Sequence, residues 1–241
     1  MDPSVEQRPE PLSLIGALRS NAMSDLALTM PIFVAYHLGV VTMNVRNAAD
    51  FFTQKLIGVA ERNILVYWAM TVGLGAALVL FVLLFGEHKA FDKKRFFLVA
   101  IEGVLYAFLM RTAAAYAVGA LPLAGADAVG GSWNGVVMSL GAGFYEEIAF
   151  RVVLFGGGLL ALSLFFGGVS KLLLGSIWAA LCAVSFAGWH HVGPLGEPWN
   201  LHSFVFRSVC GFAFTGIFVL RGFAPAVWTH SLYDIWVLVL R

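Results

Sequence analysis

Ionisable side chains inside apolar stretches are the residues of this sequence that could do chemistry. Such a residue costs several kcal/mol in a membrane unless it faces a partner or a water-filled cavity. In G-F-Y-E-E-I-A-F-R, Glu147 and Arg151 are four residues apart, in the order that favours an ion pair on a helix. Glu146 points about 100° away. We therefore expect Glu146 to be the uncompensated carboxylate, the alternative being a triad that only fixes helix register.

Two later apolar stretches add histidines. F-A-G-W-H places Phe186 and His190 on one helical face, and H-S-L-Y-D places His230 and Asp234 one turn apart in an apolar helix. A single buried histidine is more often a structural residue than a catalytic one. His191 is rotated away and has no Phe four residues earlier, which favours His190. One stretch offers Glu, a second offers His, and a third offers His with Asp. Together, the three stretches predict one shared site.

These groups suit hydrolysis. A carboxylate beside an imidazole in a low-dielectric cavity can deprotonate water, and amide hydrolysis also requires donors for the developing oxyanion. The same residues could instead supply the N and O ligands of a catalytic zinc ion, with one position left for water. The four residues concerned are Glu146, His190, His230 and Asp234.

Other hydrolytic motifs are missing from the sequence. There is no H-E-x-x-H, no G-x-S-G, and no G-x-G-D to accompany Tyr233-Asp234, which argues against site-2-type, serine and aspartyl intramembrane enzymes. Cys182 and Cys210 lie in apolar stretches, and we expect both to be packing residues. The acid and imidazole groups are therefore the only set that we assign to a reaction.

The composition predicts a membrane as the solvent of these groups. Charged residues make up 12% of the 241 and apolar residues 60%, with a mean hydropathy of +0.84. A soluble domain carries about 25% charged and 45–50% apolar residues. These values exclude a soluble globular protein and a disordered chain. The formal net charge of +1 also excludes a polybasic nucleic-acid-binding surface.

Seven apolar stretches are long enough to span a bilayer, which takes about 20 residues each. They predict an all-α, polytopic transmembrane helix bundle. Residues 1–24 would be a cytosolic tail and 25–241 a single transmembrane domain with its catalytic core at 134–240. Residues 156–171 are bounded by glycines and are predicted to be re-entrant or interfacial, with an eighth span as the alternative. The stretches are Leu26–Val41, Ile64–Phe85, Phe96–Val118, Asn134–Phe155, Leu172–His190, Ser203–Leu220 and Ala224–Leu240.

The connections between the stretches predict an orientation. Residues 87–95 carry four basic residues, whereas 121–132 and 191–202 carry none, so the N-terminus is expected in the cytosol. Three basic residues of a connection assigned to the outside argue against this: Arg46, Lys55 and Arg62.

Glu102 and Arg111 in the third stretch lie on opposite faces and cannot pair. For these two we expect a structural role such as fixing helix register, the alternative being substrate binding, and either residue could contact the fourth stretch.

Three motifs, in order on three late stretches, resemble those of the CPBP intramembrane proteases, also called the Abi family. This family includes the type II CAAX prenyl endopeptidases and bacterial relatives such as bacteriocin-immunity proteins. The resemblance covers residues 135–240 and implies a membrane bundle whose site opens into a conical cavity. The motifs are Glu146-Glu147-x-x-x-Arg151, Phe186-x-x-x-His190 and His230-x-x-x-Asp234.

The resemblance implies an endopeptidase that cleaves a membrane-associated protein or lipopeptide with water activated by Glu146 and His190. His230 and Asp234 would line the oxyanion site or complete a site for a divalent metal such as zinc. Glu147 would belong to the catalytic motif, with Arg151 in its ion pair and Phe186 as a structural residue. The family often has Asn at the last position. An ionised Asp cannot donate to an oxyanion, which slightly favours the metal.

Two other functions stay open at this stage. On the same scaffold, a bacteriocin-immunity or membrane-assembly factor would act by binding without proteolysis. A small transporter using Glu146 and Asp234 is disfavoured because the sequence shows no inverted repeat. The expected partners are a membrane-associated protein or peptide substrate and the lipid bilayer, without nucleic acid. The expected location is a bacterial cell membrane, and the sequence indicates neither the oligomeric state nor whether the substrate is prenylated.

Overall fold

The computed structural model describes residues 14–43, 45–60, 63–85, 93–119, 132–193 and 196–240, and within these ranges it is helical without strands. The all-α prediction is therefore confirmed. Residues 1–13 of the predicted tail and most of the 87–95 and 121–132 connections lie outside these ranges, so the orientation stays a prediction. The helices are α1 (Leu14–Met43), α2 (Phe51–Val59), α3 (Ile64–Phe85), α4 (Lys93–Val118), α5 (Ser132–Gly141), π1 (Ala142–Glu146), π2 (Ile148–Gly157), α6 (Gly158–Phe165), α7 (Lys171–Trp189), α8 (Leu201–Arg221), α9 (Phe223–Ile235) and π3 (Trp236–Leu240).

Seven helical segments of the described chain are long and apolar enough to cross a membrane, as the sequence predicts. Most of the predicted boundaries differ from the observed ones by only a few residues. The short helix α2 is an exception, because the sequence pattern does not separate it from the connection after the first span. The seven segments are Ala22–Met43, Ile64–Phe81, Lys93–Ala117, Trp133–Phe165, Lys171–Trp189, Leu201–Arg221 and Phe223–Leu240.

The fourth span is longer than predicted. Its helix does not end at Phe155 but continues through three glycines into α6 and ends at Phe165. Gly158 keeps helical dihedral angles, with φ −65° and ψ −42°, and a Cβ at this position would lie 2.6 Å from the Trp178 ring of α7. Gly158 therefore allows close packing of α6 on α7, and the three glycines do not break the helix. An interfacial location for residues 156–171 stays a prediction.

Helix α9 lies at the centre of the bundle, in contact with α1, α4, α5, π1 and α8. Most of its buried residues are small, and small residues allow helix backbones to approach closely in membranes. The closest approach is to Gly143 of π1. A Cβ on Gly143 would lie 2.8 Å from both the Ser231 backbone nitrogen and the Val227 carbonyl oxygen. The buried residues of α9 are Ala224, Pro225, Ala226, Val227, Thr229, His230, Ser231 and Tyr233.

Asp25 of α1 joins three helices at one end of the bundle. Its Oδ2 accepts hydrogen bonds from the backbone nitrogens of Phe223 at 2.8 Å and Ala224 at 3.4 Å, and its Oδ1 pairs with Arg95 of α4 at 2.7 Å. A carboxylate at a helix N-terminus satisfies free N–H groups and interacts favourably with the helix dipole. The starts of α4 and α9 therefore meet at Asp25, within α1.

Glu102 and Arg111 of α4 have partners other than the fourth span. Glu102 forms an ion pair with Arg221 at the end of α8, and the Arg111 guanidinium lies 4.9 Å from the centre of the Trp236 ring in π3. Both residues thus connect α4 to later helices. A contact of either residue with the fourth span stays a prediction.

The close approach of π1 and α9 generates a prediction. Gly143→Ala should lower the free energy of unfolding by about 1–3 kcal/mol, because backbone atoms of α9 stand where the methyl group would lie. Gly73→Ala in α3 is the matched control, because a Cβ there would have no heavy atom within 4 Å. Thermal unfolding of the purified protein in detergent measures both. Equal unfolding temperatures for the two variants would contradict the close approach.

Candidate active site

The predicted ion pair between Glu147 and Arg151 is present and buried. Oε1 of Glu147 lies 3.2 Å from Nη1 of Arg151, and the two side chains are 0% and 1% exposed. The Arg151 guanidinium also lies 4.5 Å from the centre of the Phe186 ring and donates from Nη2 to the Gly211 carbonyl oxygen at 3.3 Å. The pair therefore connects π2 to both α7 and α8.

Glu147 also binds His230 of α9. Its Oε1 lies 2.7 Å from Nδ1 of His230, and the imidazole stacks on the Phe214 ring with 4.4 Å between ring centres. A carboxylate already paired with Arg151 is an acceptor, so the proton of this hydrogen bond belongs to Nδ1 of His230. Nε2 of His230 is then directed towards Glu146.

His190 follows the last residue of α7 and is held in a similar way. Its Nδ1 lies 2.9 Å from the Phe186 carbonyl oxygen, and since a carbonyl can only accept, Nδ1 carries the proton. The Phe186 ring packs between the two imidazoles, with its centre 5.0 Å from that of His190 and 5.8 Å from that of His230. Phe186 thus contacts both histidines of the cluster.

Glu146 lies between the two histidines. Its Oε2 is 3.9 Å from Nε2 of His190 and 4.0 Å from Nε2 of His230, and this buried oxygen has no hydrogen-bond partner among the described residues. Its other oxygen, Oε1, accepts a hydrogen bond of 2.9 Å from Nδ2 of Asn47. Residues far apart in the sequence thus bring one free carboxylate oxygen and two imidazole nitrogens together.

Asp234 completes this cluster. Its Oδ2 lies 3.6 Å from Nε2 of His230, which is longer than a hydrogen bond. The Asp234 side chain is 22% exposed, compared with 6% for Glu146. The described structure thus brings all four predicted site residues together, with His230 between the carboxylates of Glu147 and Asp234.

These donors are of the right chemical types for zinc, but their spacing is too wide. Bonds of about 2.0–2.2 Å in a tetrahedral site place neighbouring ligand atoms about 3.3–3.6 Å apart, whereas the distances here are 3.6–4.0 Å, and both distances to Glu146 lie above that range. In the part of the chain that the structure describes, no three His, Cys, Asp or Glu side chains are grouped to hold a metal ion. The side-chain geometry therefore does not fit a metal, and we derive no step through one.

His191 faces away from the cluster, in the connection between α7 and α8. Its Nδ1 lies 3.2 Å from the Glu197 carbonyl oxygen, and its ring packs on Trp199. Glu197 in turn pairs with Arg207 of α8 through hydrogen bonds of 2.7 and 2.8 Å. Burial raises the pKa of Glu197, but the hydrogen bond and charge of Arg207 outweigh it, so this pKa lies below its usual value. The Glu197–Arg207 ion pair thus connects the segment after His190 to α8.

Asn47 is the site residue that sequence reasoning missed. It lies in the short connection between α1 and α2, which the sequence presents as an ordinary polar loop outside the three motifs. The nearby Asp50 signals the N-terminus of α2, where it accepts a hydrogen bond from the Thr53 backbone nitrogen. Nothing in the local pattern indicates that Asn47 contacts a residue 99 positions later.

The fold and the cluster together define a helical membrane protein with acid and imidazole groups buried among its spans. Residues 128–236 match the family model described as type II CAAX prenyl endopeptidase Rce1-like. No curated protein and no solved structure matches the chain. The match covers less than half of the chain and confirms the predicted resemblance: this part of the chain is similar to the type II CAAX prenyl endopeptidases. With the seven apolar spans, it indicates an integral membrane protein.

The buried ion pair generates a prediction. Arg151→Met should lower the free energy of unfolding by about 3–5 kcal/mol, because it leaves the Glu147 carboxylate buried without its cation. Adding Glu147→Gln should restore part of this loss, because the double variant buries no unpaired charge. Thermal unfolding in detergent measures both effects.

Arg207→Met is the matched control for this prediction. It removes an ion pair in which Glu197 is 50% exposed, and such pairs contribute only about 0–1 kcal/mol. An Arg151→Met protein as stable as the Arg207→Met protein would contradict the role given to the buried pair.

Proposed function

We propose that the protein is a membrane-embedded endopeptidase in which Glu146 activates the attacking water. One observation carries this proposal. A buried carboxylate oxygen without a hydrogen-bond partner in the described structure lies 3.9 and 4.0 Å from two imidazole nitrogens. A buried, unsatisfied carboxylate oxygen is costly, and such a cost is commonly retained where the group has a function.

The spacing suits a bound water. A water with hydrogen bonds of about 2.8 Å to Oε2 of Glu146 and Nε2 of His190 bridges atoms that are 3.9 Å apart. Glu146 would take a proton from this water while the oxygen attacks the peptide carbonyl carbon. Glu146 would then pass the proton to the amide nitrogen as the carbon–nitrogen bond breaks, which balances the reaction.

His230 is the best placed donor for the oxyanion. Its Nδ1–H donates a hydrogen bond to Glu147, and its Nε2 lies 3.6 Å from Oδ2 of Asp234. The two carboxylates therefore favour the charged imidazole, which carries a second proton on Nε2. In this scheme Asp234 does not donate to the oxyanion, as the Asn often found in the family could. It instead stabilises the charged imidazole that donates, which accounts for an Asp at this position.

The substrate would be a membrane-associated protein or peptide that enters beside His190. The His190 side chain is 23% exposed, whereas the side chains of Glu146 and His230 are 6% and 4% exposed. Exposed apolar residues near His190 include Phe51 of α2, whose ring centre lies 6.3 Å from that of Trp189. They would favour a substrate with an apolar tail. We place this reaction in a bacterial cell membrane with the N-terminus in the cytosol.

Proteolysis by the full-length protein in liposomes tests the proposal. The probes are quenched fluorescent peptides that end in a CAAX tail, with and without a prenyl group on the cysteine. Glu146→Gln and His190→Ala should each slow cleavage by about 10²–10⁴-fold, the usual contribution of a general acid or base. Glu102→Gln is the control, because Glu102 pairs with Arg221, away from the cluster.

Unchanged cleavage by Glu146→Gln would contradict the proposal. Two results together would favour a non-proteolytic immunity or assembly factor. The wild-type protein would cleave none of the probes, and both variants would preserve the cellular phenotype of the wild type. Comparing the two probes also shows whether the prenyl group is required for cleavage.

The divalent metal stays a separate prediction. Under the metal-free scheme, metal analysis of the purified protein should detect no stoichiometric ion, in the wild type or in Asp234→Asn. One ion per chain in the wild type that is lost in Asp234→Asn would support the metal scheme. Retention of cleavage in the presence of a strong chelator would count against a metal.

A further inference from the structure

Asn47 contacts the proposed base directly, although it lies outside the matched residues 128–236. Its Nδ2 donates to Oε1 of Glu146 at 2.9 Å. Asn47 is 5% exposed, so this hydrogen bond is shielded from water. Hydrogen bonds to a charged acceptor contribute more than neutral ones, and their loss leaves a buried charge unsatisfied. The contact is thus well placed to control where the carboxylate points.

The Asn47 amide is held in one orientation by its surroundings. Its Oδ1 accepts from the Ala49 backbone nitrogen at 2.8 Å, so Nδ2 must be the group directed at Glu146. The Asn47 backbone nitrogen donates to the Tyr36 hydroxyl at 3.0 Å, and this hydroxyl donates to Asp50 at 2.7 Å. Asp50 also accepts from the Thr53 backbone nitrogen at 2.8 Å. A buried network therefore holds Asn47 as a donor.

We infer that Asn47 is a positioning residue for Glu146, and that the connection between α1 and α2 is thereby part of the active site. With Oε1 held by Asn47, Oε2 is the oxygen presented to His190 and His230. The role rests on the proposed function, because it requires Glu146 to act as the base. It adds a residue that none of the three motifs contains.

A competing position for Glu146 explains why the base needs this restraint. Arg151 is buried, and its Nε has no hydrogen-bond partner in the described part of the chain. Its positive charge attracts carboxylates, and Glu146 directly precedes Glu147, which pairs with it. Without the Asn47 amide, Glu146 would have no hydrogen bond within the described structure and would turn towards this cation. Its Oε2 would then leave the histidines.

The experiment compares Asn47→Ala with Asn63→Ala in the same liposome assay with the CAAX-tail peptides. Asn63 is a matched control, because its Oδ1 accepts from the backbone nitrogens of Leu65 and Val66 in another connection. Asn47→Ala should lower kcat by about 10²-fold, the cost of misplacing a catalytic group by about 1 Å. KM should stay within about threefold, and Asn63→Ala should change neither constant.

A second pair of variants separates positioning from general structural damage. In a Glu146→Gln background, Asn47→Ala should cause no further loss of kcat, because the base that it positions is already absent. Asn47→Asp keeps the shape but offers no amide donor, and should be as slow as Asn47→Ala. A further loss in the Glu146→Gln background, or an Asn47→Ala protein with normal kcat, would overturn the inference.

Failure of this inference is distinguishable from failure of the proposed function. If Glu146→Gln abolishes cleavage and Asn47→Ala does not, only the role of Asn47 is wrong. If no probe is cleaved, thermal unfolding decides whether the two residues interact. Asn47→Ala and Glu146→Ala should then lower the unfolding temperature by less in combination than the sum of their separate effects. Additive effects would overturn the inference.

Discussion

The burial of one guanidinium among apolar helices is the constraint on which the site depends. Arg151 is 1% exposed, so it must be compensated where it lies. Glu147 supplies the charge, the Gly211 carbonyl oxygen accepts one N–H group, and the Phe186 ring covers the cation. Because Glu147 also binds His230, the residue that neutralises the arginine orients a histidine of the cluster. Stability and the proposed catalysis thus share one carboxylate.

The central helix α9 brings this polar cluster into a tightly packed bundle. Its small residues let π1 approach until Gly143 contacts the backbone of α9. Oε2 of Glu146 in π1 and Nε2 of His230 in α9 therefore lie 4.0 Å apart, and both residues belong to helices. Fixed helices position catalytic groups more accurately than flexible segments do. The exception is Asn47, whose connection is made rigid by buried hydrogen bonds to Tyr36 and Asp50.

Contacts within one helix were predictable from the sequence, and contacts between distant segments were not. The Glu147–Arg151 pair and the shared face of His230 and Asp234 follow from helical spacing alone. Apolar run length likewise predicts the seven spans. The glycines after Phe155 predict a boundary of the span, whereas in the structure they lie within the helix and Gly158 allows close packing on α7. The contact of Asn47 could not be predicted, because a single amide in a short polar connection has no sequence periodicity that would indicate its partner. Its role depends on tertiary structure.

The contact between Asp25 and the start of α9 joins residues that are 198 positions apart in the chain. The seventh span of the described chain thus docks against the first span, and it carries His230. During synthesis, the ribosome must release the chain through α9 before Glu147 and His230 can meet. A chain that lacks α9 holds Glu146, Glu147 and His190 without the second imidazole and without Asp234. The proposed active site is thus completed only when α9 docks on the helices made before it.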